Sequence, residues 1–356
     1  MSSEFRHGLI IGKFHPFHRG HSHLISTAEA RCDRVTAIVC GRRSDAVIPE
    51  QRAQWIRAVH PDVEVLVIDE DVVNLVDDDS EGWAKATELA LNGERADVVF
   101  TSEDYGDAYA GFLGCQHVLV DRDRSTVPIS GSEIRSNPLA HLDCLEPAVR
   151  AHYVLRVCLL GAESTGKTTL AAALAEAYGT VWVPEYGHLY QALTREDPNG
   201  EWSSDEFIKI ARMQRWLEDF QASQAKRVLF CDTDIFTTGL WHEAFVGTPP
   251  PEEVDRLAAA SRYGLFVLCS DDIPFRQDTY FLREEGPRRH WMQQRYGERL
   301  ESGSAPWVRV GGPFAARIHQ ASQAVDRLLN GQTDRTASAQ DPRDPVSAAA
   351  SDEVKG

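Results

Sequence analysis

The sequence predicts an α/β protein of two successive parallel-sheet domains, and three observations predict it. Short apolar runs alternate with helix-like stretches from Gly8 to Val120 and again from Val154 to Val310, the order that crossover helices on a parallel sheet require. The first strand-to-helix junction of each series carries a glycine-bearing turn, at Gly12 and at Gly161. A chain of 356 residues, 42% of them hydrophobic, is long enough for two domains that each bury a core.

In the first series the strands are expected at 8–12, 35–40, 63–68, 97–100 and 118–120, with helices at 50–59, 82–92 and 105–111. The pattern loses its strands between 136 and 150, where Pro138 and Pro147 fall, so the domains are expected at 1–148 and 149–332. The second series places strands at 157–160, 181–183, 228–231, 265–269 and 307–310 and a long helix over about 204–225. Residues 333–356 are polar, Ala/Ser-rich and charged, and are expected to be a disordered tail. No sequence repeat relates the two halves.

Gly161-Ala162-Glu163-Ser164-Thr165-Gly166-Lys167-Thr168-Thr169 fits the phosphate-loop pattern G-x-x-x-x-G-K-[ST] at every fixed position. It lies between a buried-strand run and an Ala/Leu-rich helix, so its backbone N–H groups can turn inward around phosphate oxygens at a helix N-terminus. A plain Gly-rich turn accounts for the glycines but not for the Lys-Thr pair after the second one. The expected ligands are ATP, with Lys167 on its β and γ phosphates, and Mg²⁺, held by Thr168.

A formal charge of −17 argues against a general nucleic-acid or membrane-surface binder, since such proteins gain affinity by neutralising phosphates. The seven cysteines show no C-x-x-C spacing, and Cys40, Cys158, Cys231 and Cys269 sit in apolar runs, as small core residues of a reducing compartment do. Residues 1–7 lack an apolar signal segment and no run approaches the ~18 apolar residues of a membrane span. A cytoplasmic protein is expected.

Gly12-Lys13-Phe14-His15-Pro16-Phe17-His18-Arg19-Gly20-His21 holds His-x-Gly-His at a helix start. His18 and His21, three apart, can face one helix end, and Gly20 leaves room for a ligand against the backbone. The arrangement suits a triphosphate whose α-phosphorus is attacked by another phosphate, a step that needs alignment and charge stabilisation. Histidines at 15, 18, 21 and 23 raise zinc as a rival, weakened by the absence of a nearby Cys or an H-E-x-x-H and by Pro16. In the second half, Asp232 and Asp234 end an apolar strand, where one can orient Mg²⁺ and the other accept a proton, and Glu185 can reach the same strand-end crevice. Arg276, Arg283, Arg288 and Arg289 are candidates to close over phosphates, against the bland alternative of a solvated helix face.

The first motif resembles that of the nucleotidyltransferase superfamily that makes dinucleotides and activated head groups. Ile129-Ser130-Gly131-Ser132-Glu133-Ile134-Arg135 is similar to its I-S-x-T-x-I-R, with Ser132 in place of Thr. That resemblance implies that Ser130 and Ser132 bond ATP phosphates, that Arg135 neutralises them, and that Gly12, Phe14 and Gly20 border the nucleotide. Both halves in this order, over residues 8–330, resemble the bifunctional family joining nicotinamide mononucleotide adenylyltransferase to ribosylnicotinamide kinase. Residues 74–83 look like its acidic loop ending in Gly-Trp. Thr101-Ser102-Glu103, Pro184-Glu185-Tyr186-Gly187 and Asp232-Thr233-Asp234 with Thr237-Thr238 resemble further segments.

The resemblance implies a Rossmann-like nucleotidyltransferase domain followed by a P-loop kinase domain. The implied substrates are nicotinamide riboside and nicotinamide mononucleotide, and the product is NAD. Lys13, His18, His21 and Arg135 stabilise charge in the adenylyl transfer. Lys167, Thr168, Asp232, Asp234 and Glu185 serve the kinase, with Ser164, Thr165, Gly166 and Thr169 completing its loop, and Arg283 and Arg288 are lid candidates. Trp83 either stacks on nicotinamide or anchors its loop. Three departures stand out: His188 where the family has Arg, Phe281 where it has a lid Arg, and no helix-turn-helix ahead of Gly8, which with the acidic charge argues against DNA binding. A homo-oligomer, a coenzyme A type of adenylyltransferase and kinase fusion, and a nucleotide-sensing regulator stay open.

Overall fold

The computed structural model describes residues 3–76, 78–194, 200–275 and 286–337, and the chain divides between Arg150 and Ala151 into two compact units. The first unit runs β1 (Phe5–Gly12), α1 (Arg19–Glu29), β2 (Cys32–Gly41), α2 (Pro49–Val59), β3 (Glu64–Asp69), α3 (Glu70–Val73), α4 (Ser80–Ala90), β4 (Val98–Thr101), α5 (Gly106–Leu113), β5 (Gln116–Leu119) and α6 (Gly131–Ser136). Its strands form one parallel sheet in the order β3-β2-β1-β4-β5, with Gly8 opposite both Val35 and Val98. Leu9, Ile10, Ala37, Ile38 and Val39 are fully buried. Such consecutive burial is what a parallel sheet covered on both faces demands, and it explains apolar runs that do not alternate. The strand order reverses between β1 and β4, which sets the crevice at their carboxyl ends, where Gly12 and Ser102 begin their loops.

Helix α7 (Pro147–Tyr153) crosses the division. The second unit then runs β6 (Leu155–Leu160), α8 (Lys167–Ala177), β7 (Trp182–Val183), α9 (Tyr186–Thr194), α10 (Ser204–Gln224), β8 (Val228–Asp232), α11 (Ile235–Val246), α12 (Glu252–Ala260), β9 (Leu265–Cys269), α13 (Gly286–Ser302), β10 (Trp307–Val310) and α14 (Phe314–Ala337). Its sheet is parallel, ordered β10-β9-β6-β8-β7, with β6 central and Cys158 opposite Cys231. The seven cysteines are free thiols, and Cys40, Cys158, Cys231 and Cys269 are buried in the sheets. Burial pushes the Cys158 and Cys231 thiols up, which keeps them unreactive.

All ten expected strands form, with ends displaced by a few residues. Helices α3, α7, α9, α11, α12 and α14 carry no expectation from the sequence. Residues Ile235, Phe236, Leu240, Trp241, Phe245 and Val246 make α11 apolar on every side, so it shows no amphipathic period. Helix α14 continues to Ala337, inside the segment expected to be tail, and positions from 338 onward lie outside the described residues. Among the described residues no helix is long and apolar enough to cross a membrane.

Candidate active sites

In the first unit a cavity of about 340 Å³ opens at the carboxyl ends of β1 and β4. Gly12, Lys13, Phe14, His15, His21, Trp83, Ser130, Ser132 and Arg135 line it, all but His15 among the expected site residues. What joins the two motifs is Arg135, which donates from Nη1 to the His15 carbonyl at 2.6 Å and from Nη2 to Ser132 Oγ at 3.1 Å. A Cβ on Gly131 would sit 2.9 Å from that same His15 carbonyl, so the close approach of the segments needs glycine there.

His21 is clamped by rings. His18 stacks on it at 3.8 Å between centroids, Phe17 at 6.2 Å, and Phe14 meets it edge-on at 5.0 Å. Phe14 adopts φ 47, a left-handed backbone that a bulky side chain rarely takes and that this packing holds in place. Burial lowers the His21 pKa well below the usual value, with His18 and Arg124 adding to the effect, and its Nδ1 is buried with no protein partner. Burial also holds His15 and His18 down at about 4. The imidazoles are therefore neutral near pH 7 until an anion arrives beside them.

Two expected site residues stand back from the cavity. His18 caps α1, its Nδ1 accepting from Gly20 N–H at 3.1 Å, and Gly20 is required because a Cβ would lie 2.9 Å from the His18 ring. Ser130 does line the cavity, but its hydroxyl is spent in a capping box: it donates to Glu133 at 2.6 Å and accepts from Glu133 N–H at 3.2 Å. Trp83 is 8% exposed and donates to the Val76 carbonyl at 2.9 Å, which anchors the loop ahead of α4 while the indole still borders the cavity.

Arg124 and Arg52 are additions that the sequence did not single out. Arg124 lines the cavity from a left-handed position, φ 51. Asp121 cinches its loop by accepting from the N–H groups of Ser125 at 2.8 Å, Thr126 at 3.1 Å and Val127 at 3.3 Å. The signal for it is an Asp followed by Ser-Thr four and five residues on, an Asx-type turn. Arg52 is fully buried, donates to the Lys13 carbonyl at 2.6 Å and pairs with Asp45. Its signal is an arginine beside Ala53 and Ile56 on the apolar face of α2.

In the second unit a cleft of about 400 Å³ is lined by Gly161, Ser164, Thr165, Gly166, Lys167, Thr168, Thr169 and Glu185 of the expected set. Gly161 has φ 147, and a Cβ there would meet the Cys269 carbonyl at 2.9 Å, so the loop can turn off β6 only with glycine. Ser164 at φ 55 and Gly166 at φ 84 continue the turn into α8. Thr165 Oγ1 and Lys167 Nζ both donate to the Ala162 carbonyl, at 2.8 and 3.1 Å.

Thr168 donates its hydroxyl to Asp232, whose other oxygen, Oδ1, is buried with no protein partner. Burial raises the Asp232 pKa, opposed by Lys167 and Thr168. A hydroxyl and a carboxylate with an unused buried oxygen fit Mg²⁺, which takes one or two protein oxygens beside phosphate and water. Among the described residues no group of three or more His, Cys, Asp or Glu side chains is placed to hold a metal.

Asp234 has a different occupation from Asp232. Thr233, at φ 82, turns the chain between them, and Asp234 caps α11 by accepting from Thr237 N–H at 3.1 Å and Thr237 Oγ1 at 3.0 Å while pairing with Arg299. Glu185 instead borders the cleft, and burial first, then Asp232, lift its pKa to about 7 against the pull of Lys167 and a hydrogen bond from Trp241. Of the lid candidates, Arg288 stacks over Phe245 at 5.0 Å, while Arg289 donates to the phosphate-loop carbonyl of Glu163 at 3.1 Å. Arg276, Arg283 and Phe281 lie outside the described residues. Besides Glu163 and Phe275, the wall includes His188, Thr237, Trp241, Met292 and Tyr296. The signal for the last four is the i, i+4 spacing of Thr237 with Trp241 and of Met292 with Tyr296.

A family model described as an AAA domain matches residues 156–317. The chain is similar to the trifunctional NAD biosynthesis/regulator protein NadR of Escherichia coli (strain K12), 28% identical over 325 residues that cover 85% of this chain and 78% of the relative. The protein of the same name from Salmonella typhimurium is 28% identical over 347 residues, 91% of this chain and 84% of the relative. Among solved structures, NadR protein in complex with NR matches with a TM-score of 0.71 at 21% identity, covering 92% of this chain and 97% of the other. NadR protein in complex with NAD and AMP-PNP matches with a TM-score of 0.68 at 22% identity. These structural likenesses establish the two-domain α/β fold.

Proposed function

We propose that this chain, a homologue of the trifunctional NAD biosynthesis/regulator proteins, makes NAD in two ATP-dependent steps. The second unit phosphorylates nicotinamide riboside to the mononucleotide, and the first unit transfers an adenylyl group from a second ATP to it, releasing pyrophosphate. The observation that carries the proposal is that each unit sets the segments expected to bind phosphate against a cavity of its own: the two motifs bridged by Arg135 in one, the loop around Lys167 in the other.

In the kinase cleft the phosphate-loop N–H groups and Lys167 hold the β and γ phosphates, and Thr168 with Asp232 would hold Mg²⁺, which neutralises phosphate charge when bound. Glu185 accepts the proton of the riboside 5′-hydroxyl as that oxygen attacks the γ-phosphorus, with Trp241 orienting the carboxylate. The rings of Trp241 and Tyr296 supply flat walls for a cationic nicotinamide, which favours this acceptor over a pantetheine chain. Asp234 and Arg299 keep α11, and so this wall, in place.

In the adenylyl site, Lys13, His21, Arg124 and Arg135 gather around the triphosphate, and the mononucleotide phosphate attacks its α-phosphorus. An anion entering beside the neutral His21 favours its imidazolium form, which then stabilises the charge that develops. His18 supports the stack from beneath. The relatives' regulatory role is not carried over, since the net charge of −17 opposes DNA binding. Free buried cysteines accord with a cytoplasmic enzyme.

For the adenylyl half, His21→Ala is expected to lower pyrophosphate release from mononucleotide and Mg·ATP by roughly 10²–10³-fold, the cost of one charge-stabilising group. ADP release from riboside and Mg·ATP should stay within about two-fold, because the two sites share no residues. Equal loss of both reactions would contradict the assignment.

A further inference from the structure

Helix α13 sets Arg289, Gln293, Tyr296 and Arg299 along one face, at spacings of four, three and three. Each side chain meets a different part of the kinase centre. Arg289 bonds the Glu163 carbonyl of the phosphate loop, Tyr296 donates to Thr237 Oγ1 at 3.2 Å, and Arg299 pairs with Asp234 at the start of α11. Between them Gln293, 8% exposed, uses both ends of its amide: Oε1 accepts from Ala162 N–H at 3.1 Å and Nε2 donates to the Cys269 carbonyl at 3.0 Å.

Ala162 is the hinge of the loop. Its N–H, in the peptide to Gly161, is held by Gln293, while its carbonyl, in the next peptide, accepts from Thr165 Oγ1 and from Lys167 Nζ, so the backbone of this one residue links Gln293 to the place where the lysine rests. The backbone here passes so close to Cys269 that only glycine fits at 161. Gln293 bridges those two backbones, and a neutral amide is the side chain that can accept from one and donate to the other without a buried charge.

We infer that Gln293 is a positioning residue for phosphoryl transfer, fixing the backbone at Ala162 so that the phosphate loop and Lys167 keep their aim. The inference rests on the kinase function proposed above. A displacement of this loop by about 1 Å costs up to on the order of 10²-fold in rate.

The test uses the full chain with three reactions: ADP release from riboside, pyrophosphate release from supplied mononucleotide, and the pH dependence of the first. Gln293→Met keeps the length and loses both bonds. It is expected to lower kcat for ADP release by about 10- to 100-fold, with KM for riboside within about three-fold and pyrophosphate release unchanged. Gln293→Glu keeps the acceptor for Ala162 N–H but sets a second oxygen against the Cys269 carbonyl unless it is protonated. Its kcat relative to wild type should therefore rise as pH is lowered from about 8 to about 6. A Gln293→Met kcat within about two-fold of wild type, parallel loss of both reactions, or a flat Gln293→Glu ratio would each overturn the inference. Wild type that releases no ADP with riboside overturns the acceptor assignment together with it, whereas an active wild type with indifferent variants overturns the positioning role alone.

Discussion

Lys167→Ala lowers riboside-dependent ADP release by on the order of 10³-fold, the scale of losing a cationic group from a phosphoryl-transfer site, and spares pyrophosphate release from supplied mononucleotide. The expectation follows from geometry that brooks few alternatives. Gly161, Ser164 and Gly166 each hold an uncommon backbone angle, and together they turn the loop into the first turn of α8, where Lys167 and Thr168 leave the helix side by side. A structural turn does not need a lysine whose amine lies 3.1 Å from its own loop carbonyl, ready to exchange that bond for a phosphate oxygen. Steady-state assays that separate ADP from pyrophosphate read the two halves of one protein in a single sample, so the intact adenylyl reaction controls for the amount of protein, and an unchanged melting transition reports folding of the second unit. Retention of ADP release would remove the kinase assignment.

Glu185→Gln is expected to cost roughly 10²–10⁴-fold in kcat for the same reaction, the usual contribution of a positioned base. Its pH dependence carries a sign. The Glu185 pKa is lifted to about 7 from an ordinary 4.5, chiefly by burial, so the wild-type rate should climb with pH through about 7 as the carboxylate forms. The variant should lose that limb. Stability moves the other way. A carboxyl whose folded pKa is raised costs nothing below about 4.5 and its full penalty above about 7, so Glu185→Gln should melt no earlier than wild type at alkaline pH. A variant that keeps the limb, or that keeps its rate, would return the role of base to another group. Asp234 is a poor substitute, since Thr237 and Arg299 already occupy its carboxylate.

What the sequence made legible depended on how far apart in the chain the cooperating atoms lie. The phosphate loop was complete in nine consecutive residues, and the His-x-Gly-His and Ile-Ser-Gly-Ser segments each announce themselves locally, so one cavity could be expected from two motifs. The bond that unites them, Arg135 to the His15 carbonyl, spans 120 positions and belongs to the sheet order rather than to either motif. Asp232 and Asp234 look equivalent on paper, and only the left-handed Thr233 between them separates the carboxylate that accepts from Thr168 from a helix cap. Trp241 and Tyr296 come from helices whose faces the sequence did not resolve, α11 because it is apolar all round. Gln293 has no motif at all: a glutamine in a charged helix reads as solvated until its two backbone partners, 131 and 24 positions away, are in place.

The central claim is that one chain holds two separate ATP reactions in series. Incubating the purified full-length protein with nicotinamide riboside and Mg·ATP, and following ADP, pyrophosphate and NAD together, tests it most directly. ADP should appear first, followed by a transient mononucleotide and, at the end, equal amounts of ADP, pyrophosphate and NAD. Pyrophosphate without ADP, or ADP whose product is never adenylylated, would contradict it.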